Sequence, residues 1–132
     1  PDGMAVLAVT FDELAPSLPE GRATLLLGIL RDKEVKEMLA TLTGSRLLAD
    51  ARCLTTVVPE TDRALPAAEL AQAWLGVGGH AAEPVDDTDE ALERALRAAA
   101  AEGGPLIIAG SLYLVGHLRA RLVGDALQDA HA

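Results

Sequence analysis

The stretch PLIIAGSLYLVGHLRARL, residues 105–122, decides how the rest of the chain is read. Leu106, Ile107, Ile108 and Ala109 form a short apolar run, the pattern of a strand buried on both faces. Gly110 interrupts it, and Ser111 stands where a helix N-cap belongs. Val115, Leu118 and Leu122 then recur at helical spacing. Strand, tight Gly-Ser turn and helix place backbone N–H groups and one hydroxyl at the carboxyl end of a strand. Open α/β sheets bind anionic groups there, because the first helical turn has unpaired donors and the positive end of the dipole. On residue type alone, Gly110 and Ser111 read first as a turn and a cap, and second as an anion contact.

Outward from this stretch, strand and helix signals alternate. Gly103-Gly104 ends an Ala-rich helix that opens on a capping box, Asp87 with Glu90, and turns Leu92 and Leu96 inward. Residues 80–85 are a weaker strand, at an edge because of Pro84. Pro66 starts a helix with the stripe Leu70, Ala71 and Trp74, and Gly76, Gly78 and Gly79 form the loop after it. Residues 51–58 hold the β-rich run from Leu54 to Val58, closed by Pro59 and followed by a polar loop with Arg63. Residues 24–30 read as a buried strand. A helix beginning at Lys33 turns Val35, Met38, Leu39 and Leu42 to the core and stops at Gly44. Met4, Leu7, Phe11 and Leu14, three or four apart, predict an opening helix that ends near Pro16 and Pro19. The tail after Gly124 is polar and is expected to fray. The pattern predicts one domain over residues 1–132, of α/β class, with a mostly parallel Rossmann-like sheet flanked by helices.

Composition narrows the function. Of the 132 residues 50% are hydrophobic but only 2% aromatic, so Leu, Val, Ile and Ala must fill one core. No apolar run reaches membrane-spanning length, and no signal peptide opens the sequence. A net charge of −9 argues against nonspecific nucleic-acid binding. The acidic group Asp86, Asp87, Asp89, Glu90 and Glu93 reads as a solvated helix start. The single cysteine, Cys53, lies in an apolar run, reads as a small buried hydrophobe and fits a reducing compartment.

Lys33, Arg63 and Ser111 each follow a predicted strand, and in a parallel sheet the three turns share the edge that carries ligands. Two cations and a hydroxyl at a helix start suit a substrate bearing carboxylates. Each also has an ordinary reading: Lys33 as a solvated first-turn residue, Arg63 as a loop salt bridge. No Gly-x-x-x-x-Gly-Lys-Ser/Thr phosphate loop occurs. His80, His117 and His131 are scattered without metal spacing, and Ser111 lies in no Gly-x-Ser-x-Gly elbow.

Gly110-Ser111-Leu112-Tyr113-Leu114-Val115-Gly116 closely resembles the late motif of the folylpolyglutamate synthase/dihydrofolate synthase family of the Mur ligase superfamily. Further pieces match in order. Gly28-Ile29-Leu30-Arg31-Asp32-Lys33-Glu34 resembles that family's Gly-x-x-x-Asp-Lys-Asp segment, and Arg63-Ala64-Leu65 its Pro-Arg-Ala segment. Pro1-Asp2-Gly3 resembles the residues that follow its Asp-Gly-Ala-His-Asn motif. The resemblance covers only the carboxyl-terminal domain of a much longer enzyme.

It implies an ATP-dependent ligase that adds L-glutamate to dihydropteroate or a folate, through an acyl phosphate attacked by the glutamate amine. ATP and Mg2+ would be bound mainly outside this chain, by an N-terminal ATPase domain over which this domain closes. Ser111, Gly110 and the helix N–H groups would meet a glutamate carboxylate. Lys33 would serve catalysis electrostatically, and Arg63 is a third binding candidate. Where relatives often carry Glu this chain has His117, which is given no shared role. The resemblance further implies a cytoplasmic location and a fragment inactive by itself. Its opening helix would lack a preceding central strand, so that either the sheet closes around the gap or the fragment self-associates. Two other readings stay open: a stand-alone α/β binding or interaction domain, and the carboxyl-terminal domain of a peptidoglycan Mur ligase.

Overall fold

The computed structural model describes residues 4–9, 21–31 and 34–131. Within them the elements are β1 (Met4–Val9), β2 (Thr24–Gly28), α1 (Val35–Thr43), α2 (Arg46–Ala49), β3 (Arg52–Thr55), α3 (Ala67–Gly76), β4 (Ala82–Pro84), α4 (Thr88–Glu102), β5 (Leu106–Ser111) and α5 (Leu112–His131). Five strands form one sheet in the order β1-β5-β2-β3-β4. The pairs β5–β2, β2–β3 and β3–β4 are parallel, in the registers Thr24↔Leu106, Thr24↔Arg52 and Cys53↔Ala82. The α/β class and the mostly parallel, helix-flanked sheet expected from the alternation are what the chain builds.

The opening helix expected from Met4, Leu7, Phe11 and Leu14 does not form over the part that is described. Met4–Val9 is a strand, antiparallel to β5 with Leu7 opposite Ile108. Phe11 and Leu14 lie outside the described residues. The segment MAVLAV is apolar at every position, so it satisfies a period of two as readily as one of 3.6, and pairing with β5 decides. β5 is therefore covered on both sides, by β1 and β2. Among the described residues β1 thus fills the place beside β5 where an open seam was one expectation, and the sheet is closed there, the other expectation.

Two cores sandwich the sheet. Leu25, Leu27, Cys53, Ile107 and Ala109 face Met38, Leu39 and Leu42 of α1, Leu48 of α2, and Leu70 and Trp74 of α3. The alternate residues Leu26, Leu54, Leu106 and Ile108 face Leu92, Ala95 and Ala99 of α4 and Leu114 and Leu118 of α5. Alternation along each strand assigns neighbours to opposite faces, which is why these strands read as unbroken apolar runs. Asp87 caps α4, its carboxylate accepting the Glu90 N–H at 2.9 Å, and Gly103 ends that helix in the left-handed region. Gly44 ends α1, as its place after the apolar stripe predicts. α5 runs on through Gly124 to His131 instead of fraying there; no proline intervenes, and Ala, Leu and Gln are good helix formers. Cys53 is buried and unpaired, and burial pushes its thiol well above the ordinary range, so it stays protonated and inert.

Candidate functional site

From β2 the chain winds through β3 to β4, then crosses back to place β5 on the other side of β2. The strand order thus reverses between β2 and β5, and their carboxyl ends border the crevice where such sheets take ligands. At that point Gly28 pairs with Gly110. Gly110 has φ 133°, and a Cβ there would collide with the Gly28 carbonyl oxygen. A Cβ on Gly28 would lie 2.6 Å from Leu114 Cδ2. Two glycines therefore let α5 start directly at the end of β5 and seat Leu114 on the sheet. Gly110 is a strand residue, not the turn expected of it, and β5 continues through Ser111. Ser111 is buried and its Oγ accepts the Tyr113 N–H at 3.1 Å, the geometry of a helix cap.

The loop after β3 folds back over the same edge. Arg31 N–H donates to the Arg63 carbonyl at 2.6 Å and Leu65 N–H to the Ile29 carbonyl at 3.0 Å, around an isolated antiparallel bridge between Leu30 and Ala64. Thr61 Oγ1 accepts the Arg63 N–H at 3.1 Å. Glu60 adopts φ 63°, a left-handed conformation uncommon for a non-glycine and worth noting at a ligand edge. Loop, strand extension and helix start enclose a cleft of about 390 Å³. Pro59, Glu60, Thr61 and Arg63 form one wall, Leu30 the base, and Tyr113 and His117 of α5 the other wall.

The electrostatics of the two walls differ. The Arg63 guanidinium has no ion-pair or hydrogen-bond partner among the described residues, whereas Arg31 beside it is held by Glu69 at 2.9 Å. His117 Nε2 donates to Asp89 Oδ1 at 3.1 Å, and Arg121 reaches Asp89 Oδ2 at 3.0 Å. The His117 hydrogen bond, aided by Arg121, holds the Asp89 carboxyl below the usual carboxylate range. The cleft thus combines a fixed backbone, the Arg63 cation, the Glu60 carboxylate and a half-buried imidazole bonded to Asp89, and the planar fork of Arg63 is the group in it suited to a carboxylate or phosphate.

Of the residues expected from sequence, Arg63 lines this cleft, while Gly110 and Ser111 lie at the adjoining switch point. Lys33 lies outside the described residues. Tyr113, His117, Glu60 and Leu30 are not site residues on the sequence reading: Leu30 and Tyr113 stand in its motifs without a role, and His117 stands there as a departure from relatives. Among the described residues no group of three or more His, Cys, Asp or Glu side chains is placed to hold a metal ion, so none is assigned to Mg2+. No described helix is long and apolar enough to cross a membrane.

Sheet order, crossovers and edge cleft define a doubly wound α/β domain with a cleft at its switch point. The chain belongs to the family described as Mur ligase, glutamate ligase domain, whose sequence profile matches residues 1–112. Among solved structures, folylpolyglutamate synthase of Mycobacterium tuberculosis, crystallised with ADP and AMPPCP, shares the fold at TM-score 0.56 and 23% identity. That likeness covers 74% of this chain, which in turn spans 23% of the length of that enzyme. No curated protein matches the chain significantly by sequence.

Proposed function

We propose that this chain is the carboxyl-terminal domain of a cytoplasmic, ATP-dependent ligase that adds L-glutamate to dihydropteroate or a folate. Family membership supports the ligase class. The observation that carries the glutamate reading is the Arg63 guanidinium, without an ion pair or hydrogen bond among the described residues, in a cleft at the switch-point edge. ATP, with Mg2+, supplies activation of the acceptor carboxylate and is bound by other parts of the enzyme. Arg63 takes a glutamate carboxylate bidentately. Gly110 allows the close approach of backbone, and Ser111 fixes the first turn of α5 so that its N–H groups face the substrate. Lys33 is proposed to add positive charge near the phosphorylated intermediate.

The test is steady-state kinetics of the longer ligase that contains this chain. Arg63→Ala should raise the KM for L-glutamate about ten- to a hundredfold, the loss of one charged hydrogen-bonded pair, with the KM for ATP little changed. Ser111→Ala should act in the same direction and less strongly. An unchanged glutamate KM in Arg63→Ala refutes the assignment. The 132-residue chain alone should neither hydrolyse ATP nor ligate glutamate, since no phosphate loop occurs in it.

A further inference from the structure

We propose that the groove between α4 and the β3–β4 edge is a second ligand site, for a small molecule that carries an oxyanion on an apolar body. The groove measures about 330 Å³, at the lower end of the range for small-molecule sites. Leu54, Ala98 and Ala101 give it an apolar floor, and Arg52, Arg94, Arg97 and Glu83 form its walls. α4 returns from the carboxyl end of β4 to the amino end of β5, so Arg97 and Ala101 in its later turns lie toward the opposite edge of the sheet from the Arg63 cleft. The two sites are distinct, and this one does not depend on the glutamate reading.

Charge pairing identifies the ligand class. Arg94 ties down both Glu83 and Glu90, each at 3.1 Å, a trio that keeps one net negative charge, so the attraction for an anion comes from Arg52 and Arg97. Arg52 stands 3.8 Å from Glu102, beyond good hydrogen-bond distance, and keeps its donors available. The Arg97 guanidinium makes no ion pair or hydrogen bond among the described residues while lining the groove directly. In a chain of net charge −9, an uncompensated guanidinium beside apolar surface stands out. Its planar fork matches carboxylate or phosphate, and the arginine stems extend the apolar floor.

The experiment follows backbone amide NMR shifts of the 132-residue chain during titration with phenyl phosphate, with benzoate and inorganic phosphate as parallel probes. Saturable shifts at Arg52, Leu54, Glu83 and residues 94–101 are expected, weakened about tenfold or more in Arg97→Gln, the loss of one charged hydrogen bond. Arg119→Gln, an exposed arginine of α5 away from the groove, should leave binding intact. Stronger response to phenyl phosphate than to benzoate assigns the phosphate form of the ligand, and the reverse assigns the carboxylate form. Absence of saturation with all three probes overturns the proposal. So does binding that survives Arg97→Gln, or shifts confined to the Arg63 cleft.

Discussion

Gly110 holds the switch point together by having no side chain. Its φ of 133° and the approach of the Gly28 carbonyl both exclude a Cβ. Gly110→Ala should therefore cost roughly 2–5 kcal/mol, backbone strain plus overpacking, read as a drop in the urea midpoint. Gly116, exposed in α5 with nothing near its Cβ position, is the counterpart. There Gly116→Ala should stabilise by about 0.4–1 kcal/mol through lower unfolded-state entropy. Equal effects from the two substitutions would mean that local helix propensity, not the contact with Gly28, governs this stretch. Ser111 illustrates what a motif leaves unsaid. Its place before a helix was legible, but only coordinates show its Oγ accepting the Tyr113 N–H while its side chain is buried.

At the scale of elements, α4 and α5 are clamped across their facing surfaces by His117, Asp89 and Arg121. The Asp89 carboxyl lies below its usual range because the His117 hydrogen bond and Arg121 favour its charged form. With a depressed folded-state pKa, its contribution is present above the ordinary carboxylate pKa of about 4 and is lost as pH falls through the lowered value. Being half exposed, the clamp is worth at most about 1 kcal/mol. Asp89→Asn should lower the melting temperature slightly at pH 7, and that difference should shrink to nothing at low pH. A difference that persists at low pH would assign the effect to packing instead of charge. Most elements were legible because their signals agree: apolar runs bounded by Pro and Gly for β2, β3 and β5, capping residues for α4. β1 was misread because an all-apolar hexamer carries no period, and α2, four residues long, leaves too short a pattern to see. The cleft was half legible. Arg63 follows a strand and was found, but its opposite wall comes from residues 113 and 117, some fifty positions away, and only the β2–β5 adjacency brings them together.

The whole molecule presents its carboxyl edge as an unfinished surface. Leu112 and Tyr113, at the first turn of α5, are 63% and 71% exposed, although most large apolar side chains among the described residues are interior. Tyr113 lines the Arg63 cleft and Leu112 precedes it in the chain, so apolar contact area and a cation meet at one end of the sheet. A surface patch of this kind marks an interaction site more often than a packing defect. On the proposed reading, the rest of the ligase closes on this edge and Tyr113 packs there, with its hydroxyl still able to meet water or substrate. Two measurements separate this from a role in folding. In the 132-residue chain Tyr113→Ser removes almost no buried area, so the unfolding midpoint should stay within about 0.5 kcal/mol of the parent. In the longer ligase the same substitution should lower kcat/KM for glutamate by about tenfold or more, because closure of the domains sets the geometry of attack. Loss of stability in the short chain would make Tyr113 a structural residue, and full activity in the longer enzyme would remove this edge from the domain interface.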